Sequence, residues 1–189
     1  MAIYTDMKAV AQGRHGVFES SRMKATVVGH LYDALVRDAS GVEIDVDNGV
    51  ALKIGDFTGN GLQERYATVA KIKDKIAVTG TPAIVKDAFT KNQEAITNFY
   101  NPAGKDAKAY EVVTEDIFAV AKHQFTSTSQ AAVNVGAYVV VDGNGAWVAQ
   151  AAKPAADGYG FIGKVHSLAL DNLDNLTMVR IECVQNVQL

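Results

Sequence analysis

A chain of 189 residues, 48% of them hydrophobic and 21% charged, is long and apolar enough for one well-filled domain or two small ones, and its composition excludes wholesale disorder. The formal net charge of −3 comes from 18 basic and 21 acidic residues spread along the sequence, with no Lys/Arg run to track a phosphate backbone, so no nucleic-acid partner is expected. The only cysteine is Cys183, which rules out an intrachain disulfide framework, and no apolar run approaches a signal-peptide core or the roughly 20 residues of a membrane span, so synthesis in the cytosol without a membrane partner is expected.

In chain order, residues 1–22 read as an extended N-terminal arm, because Gly13, Gly16, Ser20 and Ser21 interrupt its apolar residues. Ile3, Tyr4, Met7, Val10, Val17 and Phe18 are too irregularly spaced for a helix or a strand. They need a surface to cover, which makes them the candidate partner-binding residues; the bland alternative is an N-terminus packed on its own domain. Met23–His30, Gly49–Phe57, Glu64–Ile72 and Lys75–Thr79 then read as strands between Gly-, Asp- and Asn-rich turns. Between the first two, Asp45-Val46-Asp47-Asn48-Gly49 has calcium-loop chemistry in the wrong register, with Val50 where the glycine belongs and Asp56 where the bidentate Glu belongs, so it reads as an acidic turn.

A helix is expected behind Thr81 and Pro82, where Val85, Phe89, Ile96 and Phe99 recur at helical spacing. Asn101–Ala109 reads as a hinge dividing a β-rich block over 23–100 from a C-terminal β domain over 101–189, one continuous domain over 23–189 being the alternative. Beyond it, Tyr110–Val113, Asp116–Phe125, Ala137–Val141, Ala146–Ala151, Phe161–Leu170 and Leu176–Val184 read as strands. Asp142-Gly143-Asn144-Gly145 marks a tight hairpin with both glycines expected at positive φ. In the last strand Val179, Ile181 and Cys183 should face inward and Met178, Arg180 and Glu182 outward, with a bulge or strand end near Cys183 because Val184 breaks the alternation.

The chemistry-bearing patterns fail on context. Gly158-Tyr159-Gly160-Phe161-Ile162-Gly163-Lys164 satisfies a bare GxGxxG, yet AAKPAAD precedes it, a strand follows it, and Val165 stands where a magnesium-binding hydroxyl belongs. His15, His30, His123 and His166 lack metal-ligand spacing, and no nucleophile motif appears. No catalytic, cofactor or metal residue is therefore expected. The expected fold is mainly β: a β-sandwich or barrel-like domain or domains with at most one or two short helices and the N-terminal arm. The competing readings are a carbohydrate-type ligand-binding β module, with Tyr138, Trp147, Tyr159 and Phe161 as its aromatic surface, and a small β-barrel enzyme.

The order of features in NFYNPAGKDAKAYEV, EDIFAVAKHQFT, VGAYVVVDGNGAWVAQ, FIGKVHSLAL and LTMVRIECVQN resembles head-decoration (capsid cement) proteins of tailed bacteriophages with HK97-type capsids. The likeness spans about half of the chain and is one of turns and apolar positions. It implies a virion protein, made in the host cytoplasm, that forms a homo-oligomer, a trimer being one option. Its implied partners are the major capsid protein and its own copies, with no cofactor and no reaction. Tail, collar or fibre-anchor roles are compatible with the same pattern.

Overall fold

The computed structural model describes residues 15–18, 31–60, 63–82, 99–171 and 176–189; the expected strand Met23–His30 and most of the expected helix over 81–99 lie outside them. Among the described residues the chain is mainly β, as its alternation implies. Five strands, β1 (Leu31–Arg37), β2 (Ala51–Phe57), β3 (Glu64–Val69), β4 (Ala77–Thr79) and β5 (Ala107–Glu111), close into a barrel in the order β1-β3-β2-β4-β5. β1 lies parallel to β3 and antiparallel to β5; the other pairs are antiparallel. A barrel of so few strands has a narrow lumen, and its inward positions are correspondingly small: Ala34, Val36, Ala67, Ala77, Ala107 and Ala109 around Leu52.

The remaining strands, β6 (Ile117–Ala121), β7 (Tyr138–Val141), β8 (Trp147–Gln150), β9 (Phe161–Asp171) and β10 (Leu176–Asn186), form an antiparallel sheet in the order β6-β10-β9-β7-β8. Single-turn 3-10 helices at Lys122–Gln124 and Gln130–Ala132 follow β6. One face of this sheet packs on the barrel. Phe118, Trp147 and Phe161, with ring centroids 5.6–6.1 Å apart, share one core with Ala51, Ala70, Ile76, Val78 and Val112. The Asn186 side chain stitches the two parts together, accepting from Ile76 N–H (2.8 Å) and donating to the Ile76 (2.8 Å) and Val112 (2.7 Å) carbonyls.

That shared core moves the boundary expected at Asn101–Ala109. Asn101 is buried and pairs with Val46, and the residues after it enter β5, the strand that closes the barrel, so the stretch is an internal turn and not a hinge. Gly104 takes φ +75° there, with Lys105 N–H bonded to the Pro102 carbonyl (3.1 Å).

In β10 the expected inward residues Val179, Ile181 and Cys183 do enter the shared core, and the register shifts between Cys183 and Gln185. Met178 departs from expectation. It points away from the barrel, as the alternation requires, but is fully buried because Val17 covers it together with Leu176, Ala119 and Ala121. Burial pushes the Cys183 thiol up to about 12, consistent with a packing residue and not a nucleophile.

The β7–β8 hairpin closes through Asp142, whose carboxylate accepts the Asn144 (2.7 Å) and Ala146 (2.9 Å) amides. Of its two glycines only Gly145 has positive φ (+74°), so the loop is a three-residue turn ending in a left-handed residue. A Cβ on Gly145 would lie 2.4 Å from Val69 Cγ1 and 3.0 Å from the Ala51 carbonyl, whereas one on Gly143 would meet nothing within 4 Å. Gly145→Val should therefore cost about 2–4 kcal/mol, from backbone strain plus overpacking, and Gly143→Val no more than about 0.5 kcal/mol. Urea denaturation of the two single variants checks this; equal losses would show the turn to be misassigned.

The glycines of the GxGxxG segment serve close approach. A Cβ on Gly160 would sit 2.3 Å from the Asp74 carbonyl and one on Gly163 2.4 Å from Ile181 Cγ2. The Gly158 and Gly160 amides already bond to the Ala155 (3.1 Å) and Ile72 (2.8 Å) carbonyls, and a strand follows, so no amide cradle or helix end faces outward for a phosphate.

Candidate arm-docking site

β6 is an edge of the five-stranded sheet, and an edge strand carries a row of unpaired amides and carbonyls that template another strand. Along that edge lies the segment His15–Phe18: Phe18 bridges Val120 in antiparallel register, and Ala121 N–H donates to the Val17 carbonyl (3.2 Å). The opposite edge, β8, is covered in the same way by Phe125, which bridges Trp147, and by Thr126 N–H on the Trp147 carbonyl (2.9 Å).

Because neighbours in an extended segment point to opposite faces, Val17 and Phe18 are driven to opposite sides of the sheet. Phe18 enters the shared core, stacked on Tyr110 (centroids 5.5 Å apart) and Phe118 (6.4 Å). It fits there only because residue 80 is glycine: a Cβ on Gly80 would lie 2.5 Å from Phe18 Cδ1 and 2.8 Å from Tyr110 Cε2. Val17 enters the other cluster, over Leu176 and Met178. Phe18 and Val17 are 8% and 4% exposed, the values of core residues.

Gln124 supplies the polar half of the site. Its Oε1 accepts from the amides of Val17 (3.1 Å) and Ala121 (3.0 Å), and its Nε2 donates to the Asn48 carbonyl (2.7 Å). Gly16 threads between these groups, where a Cβ would come within 2.4 Å of both the Asn48 carbonyl and Gln124 Nε2. Asp47 holds the start of the segment, one oxygen accepting from Gly16 N–H (2.9 Å) and the other 2.7 Å from His15 Nδ1. The His15 ring stacks on Tyr100 (5.0 Å), and His123 Nε2–H donates to the His15 carbonyl (3.0 Å). The acidic turn is thus fixed as a receptor: Asn48 is clamped to both backbone groups of Thr81 (2.7 and 3.0 Å), and Asp45 accepts from Ala103 N–H (2.7 Å).

Of the six arm residues singled out in the sequence, Val17 and Phe18 pack on this chain's own core, and Ile3, Tyr4, Met7 and Val10 lie outside the described residues. Asp47, Gln124, Tyr100 and Gly80 carried no local signal for this role. The aromatic surface expected of a ligand-binding module is not assembled, since Trp147 and Phe161 are core residues. Among the described residues no three His, Cys, Asp or Glu side chains are placed to hold a metal ion.

Two other polar features stand on the barrel. A cavity of about 210 Å³ at one end of the barrel is lined by Tyr32, Lys53, Arg65, Lys75, Glu111 and Gln188. Its charges largely answer one another: Tyr32 Oη (2.9 Å) and Lys75 Nζ (2.5 Å) donate to Glu111, and Lys53 Nζ donates to Asp74 (2.8 Å).

At the barrel rim, Asp33 stands opposite Glu64 on one side and Lys108 on the other, with Lys108 donating to Asp33 and Asp106 beside Glu64. Desolvation, followed by the hydrogen bond to Glu64 and the Glu64 and Asp33 charges, pushes the Asp106 carboxyl up to about 6. Glu64 is held low, first by the Asn60 amide and then by Asp106. The raised Asp106 value contributes stability that is fully present below the ordinary carboxylate range and lost as pH rises through about 6; the lowered Glu64 value acts in the opposite sense, its contribution being lost as pH falls through the lowered value. Asp106→Asn, which keeps a donor toward Glu64 at every pH, should flatten a decline in Tm expected of the parent chain between about pH 4 and about pH 6. A thermal-melt series with the same decline in both proteins would count against the pair.

No protein-family model, no curated protein and no solved structure matches this chain.

Proposed function

We propose that this chain is a non-enzymatic structural protein that binds the surface of a tailed-phage head and stabilises or decorates it, in copies that contact the major capsid protein and one another. The observation that carries the reading is the strand addition at β6. An extended segment is fixed there by Val17, Phe18 and Gln124, and residues 1–14, with Ile3, Tyr4, Met7 and Val10, precede that fixed point. Fourteen residues span up to about 45 Å when extended, enough to leave the surface of one domain and lie on the next. The phage-head likeness of the C-terminal half supplies the kind of surface.

The test is co-sedimentation of the purified chain with phage heads. Stoichiometric binding is expected, and deletion of residues 1–14, which spares the docked segment, should weaken it at least about tenfold, or about 1.4 kcal/mol, while circular dichroism stays unchanged. Binding that is absent, or indifferent to the deletion, overturns the proposal. Co-purification with tails instead of heads moves the protein to a tail, collar or fibre-anchor role.

A further inference from the structure

We propose that the cavity at the end of the barrel is a binding site for a small organic monocarboxylate, whose charged group is held by Arg65. The site goes beyond head binding and does not depend on it.

Every strand of the barrel sends a residue to this cavity from the same end. Tyr32 lies near the start of β1 and Arg65 near the start of β3, which runs parallel to it; Glu111 ends β5, Lys75 precedes β4, and Ile54 stands within β2. Partners in a ladder share a face, so the register gives the side that each takes. Tyr32 stands opposite Ala109, Arg65 opposite Ala34 and Glu111 opposite Ala77, and those three alanines line the lumen. The three larger side chains therefore turn inward, over a floor of Ala34, Leu52, Ala67, Ala77 and Ala109. Asp33 and Glu64, next along the strands, turn to the outside. The mouth of a barrel, with polar groups converging from separate strands, is a preferred place for a small ligand.

The charge of the lining sets the sign of that ligand. Lys53, Arg65 and Lys75 bring three cations, and two carboxylates answer them, Asp74 on Lys53 (2.8 Å) and Glu111 on Lys75 (2.5 Å). Burial, and then the hydrogen bond to Glu111, raise the Tyr32 phenol, so it stays a neutral donor. Arg65 is the charge left over. Among the described residues its guanidinium makes one hydrogen bond, to the Gly55 carbonyl (3.1 Å), and no ion pair. Its central carbon lies 4.0 Å from the centre of the Phe57 ring and 5.6 Å from that of Tyr32. Ring faces and one carbonyl fix the guanidinium while most of its N–H groups stay free, in the plane that matches a carboxylate.

One unanswered positive charge suits one negative charge, and the Glu111 carboxylate in the same wall disfavours a second. Ile54, Ile76 and the Tyr32 ring supply an apolar side. The volume of about 210 Å³ is that of about seven waters at about 30 Å³ each, room for a carboxylate with a short carbon chain.

The test is a titration of the full-length, isotope-labelled chain with hexanoate, followed by amide NMR. One saturable site is expected, half-filled below about 10 mM, with the shifts concentrated at Tyr32, Ile54, Arg65, Lys75 and Glu111. Hexanamide, the same body without the charge, and inorganic phosphate should each bind at least about tenfold more weakly. Arg65→Gln should raise the half-saturation point at least about tenfold, and Lys105→Gln, in the exposed turn before β5, should change it less than about twofold.

The wild-type spectra decide the matter even where Arg65→Gln fails to fold. Shifts that scatter over the surface, or that stay linear to about 50 mM, overturn the site. Hexanamide binding as tightly as hexanoate, or binding untouched by Arg65→Gln, removes the role of the guanidinium, and phosphate binding more tightly than hexanoate overturns the carboxylate class. None of these readouts involves heads, so each outcome leaves the proposed function to its own test.

Discussion

Trp147→Ala should lower the unfolding free energy by about 3–5 kcal/mol, more than any single change on the surface of this chain. The indole is 1% exposed, lies 5.7 Å from Phe118 and 5.6 Å from Phe161, and reaches out of the sheet to donate from Nε1 to the Gly49 carbonyl of the barrel at 2.8 Å. Truncation leaves a cavity at the junction of the two β units and removes the only bond that side chain makes to the barrel backbone. Trp147→Phe separates the two losses. It keeps an aromatic ring in the core and deletes the donor, so it should cost about 1–3 kcal/mol. Urea denaturation followed by circular dichroism reads both. Because barrel and sheet share this core, each variant should unfold in one transition; a split transition, or an Ala variant as stable as the parent, would mean that the two units do not depend on one another.

Phe18→Ala should cost about 3–5 kcal/mol as well, although Phe18 precedes the first strand of the barrel. Its ring fills the notch over Gly80 between Tyr110 and Phe118, so truncation removes two ring contacts from the shared core. Gln124→Ala is the companion, since it strips the Val17 and Ala121 amides of a shared acceptor and should cost about 1–3 kcal/mol. Deleting residues 1–14 should change stability by less than about 0.5 kcal/mol, and extending the deletion through residue 18 should cost at least as much as Phe18→Ala. Denaturation midpoints of the four proteins order these expectations. A loss under about 1 kcal/mol for Phe18→Ala would place the segment outside the core.

The parts of the fold that sequence reasoning recovers are those written in local alternation. β7 and β8 are short apolar strands around an Asp-Gly-Asn-Gly turn, and β9 and β10 alternate long enough to fix which side of each faces the core. β1 is different. In Leu31–Arg37 the inward residues Ala34 and Val36 flank Leu35, so three apolar neighbours hide the period of two, and the strand is held by parallel pairing with β3, which lies well downstream. The same limit explains the displaced boundary: Pro102 and Gly104 announce a turn, but nothing local says that the strand after it closes the barrel. At the docking site, the apolar pair Val17-Phe18 is legible as something that must be covered. What covers it is not, because the fit depends on a glycine at position 80 and a carboxamide at position 124, whose meaning exists only once distant segments meet.

The strand added at β6 also imposes a schedule on the chain. Val120 follows Phe18 by 102 positions, so at a synthesis rate of about 5–20 residues per second Phe18 leaves the ribosome about 5–20 s before its partner exists. Within that interval the barrel strands emerge in turn, the last of them, β5, ending nine positions before Val120, whereas the β6 partner of Val17 and Phe18 is still missing. Among the described segments, the one that emerges first is thus among the last to find its place. Refolding from denaturant, where every residue is present from the start, removes that delay, and the gap between the two conditions measures how much of the maturation time of this protein is spent waiting for residue 120.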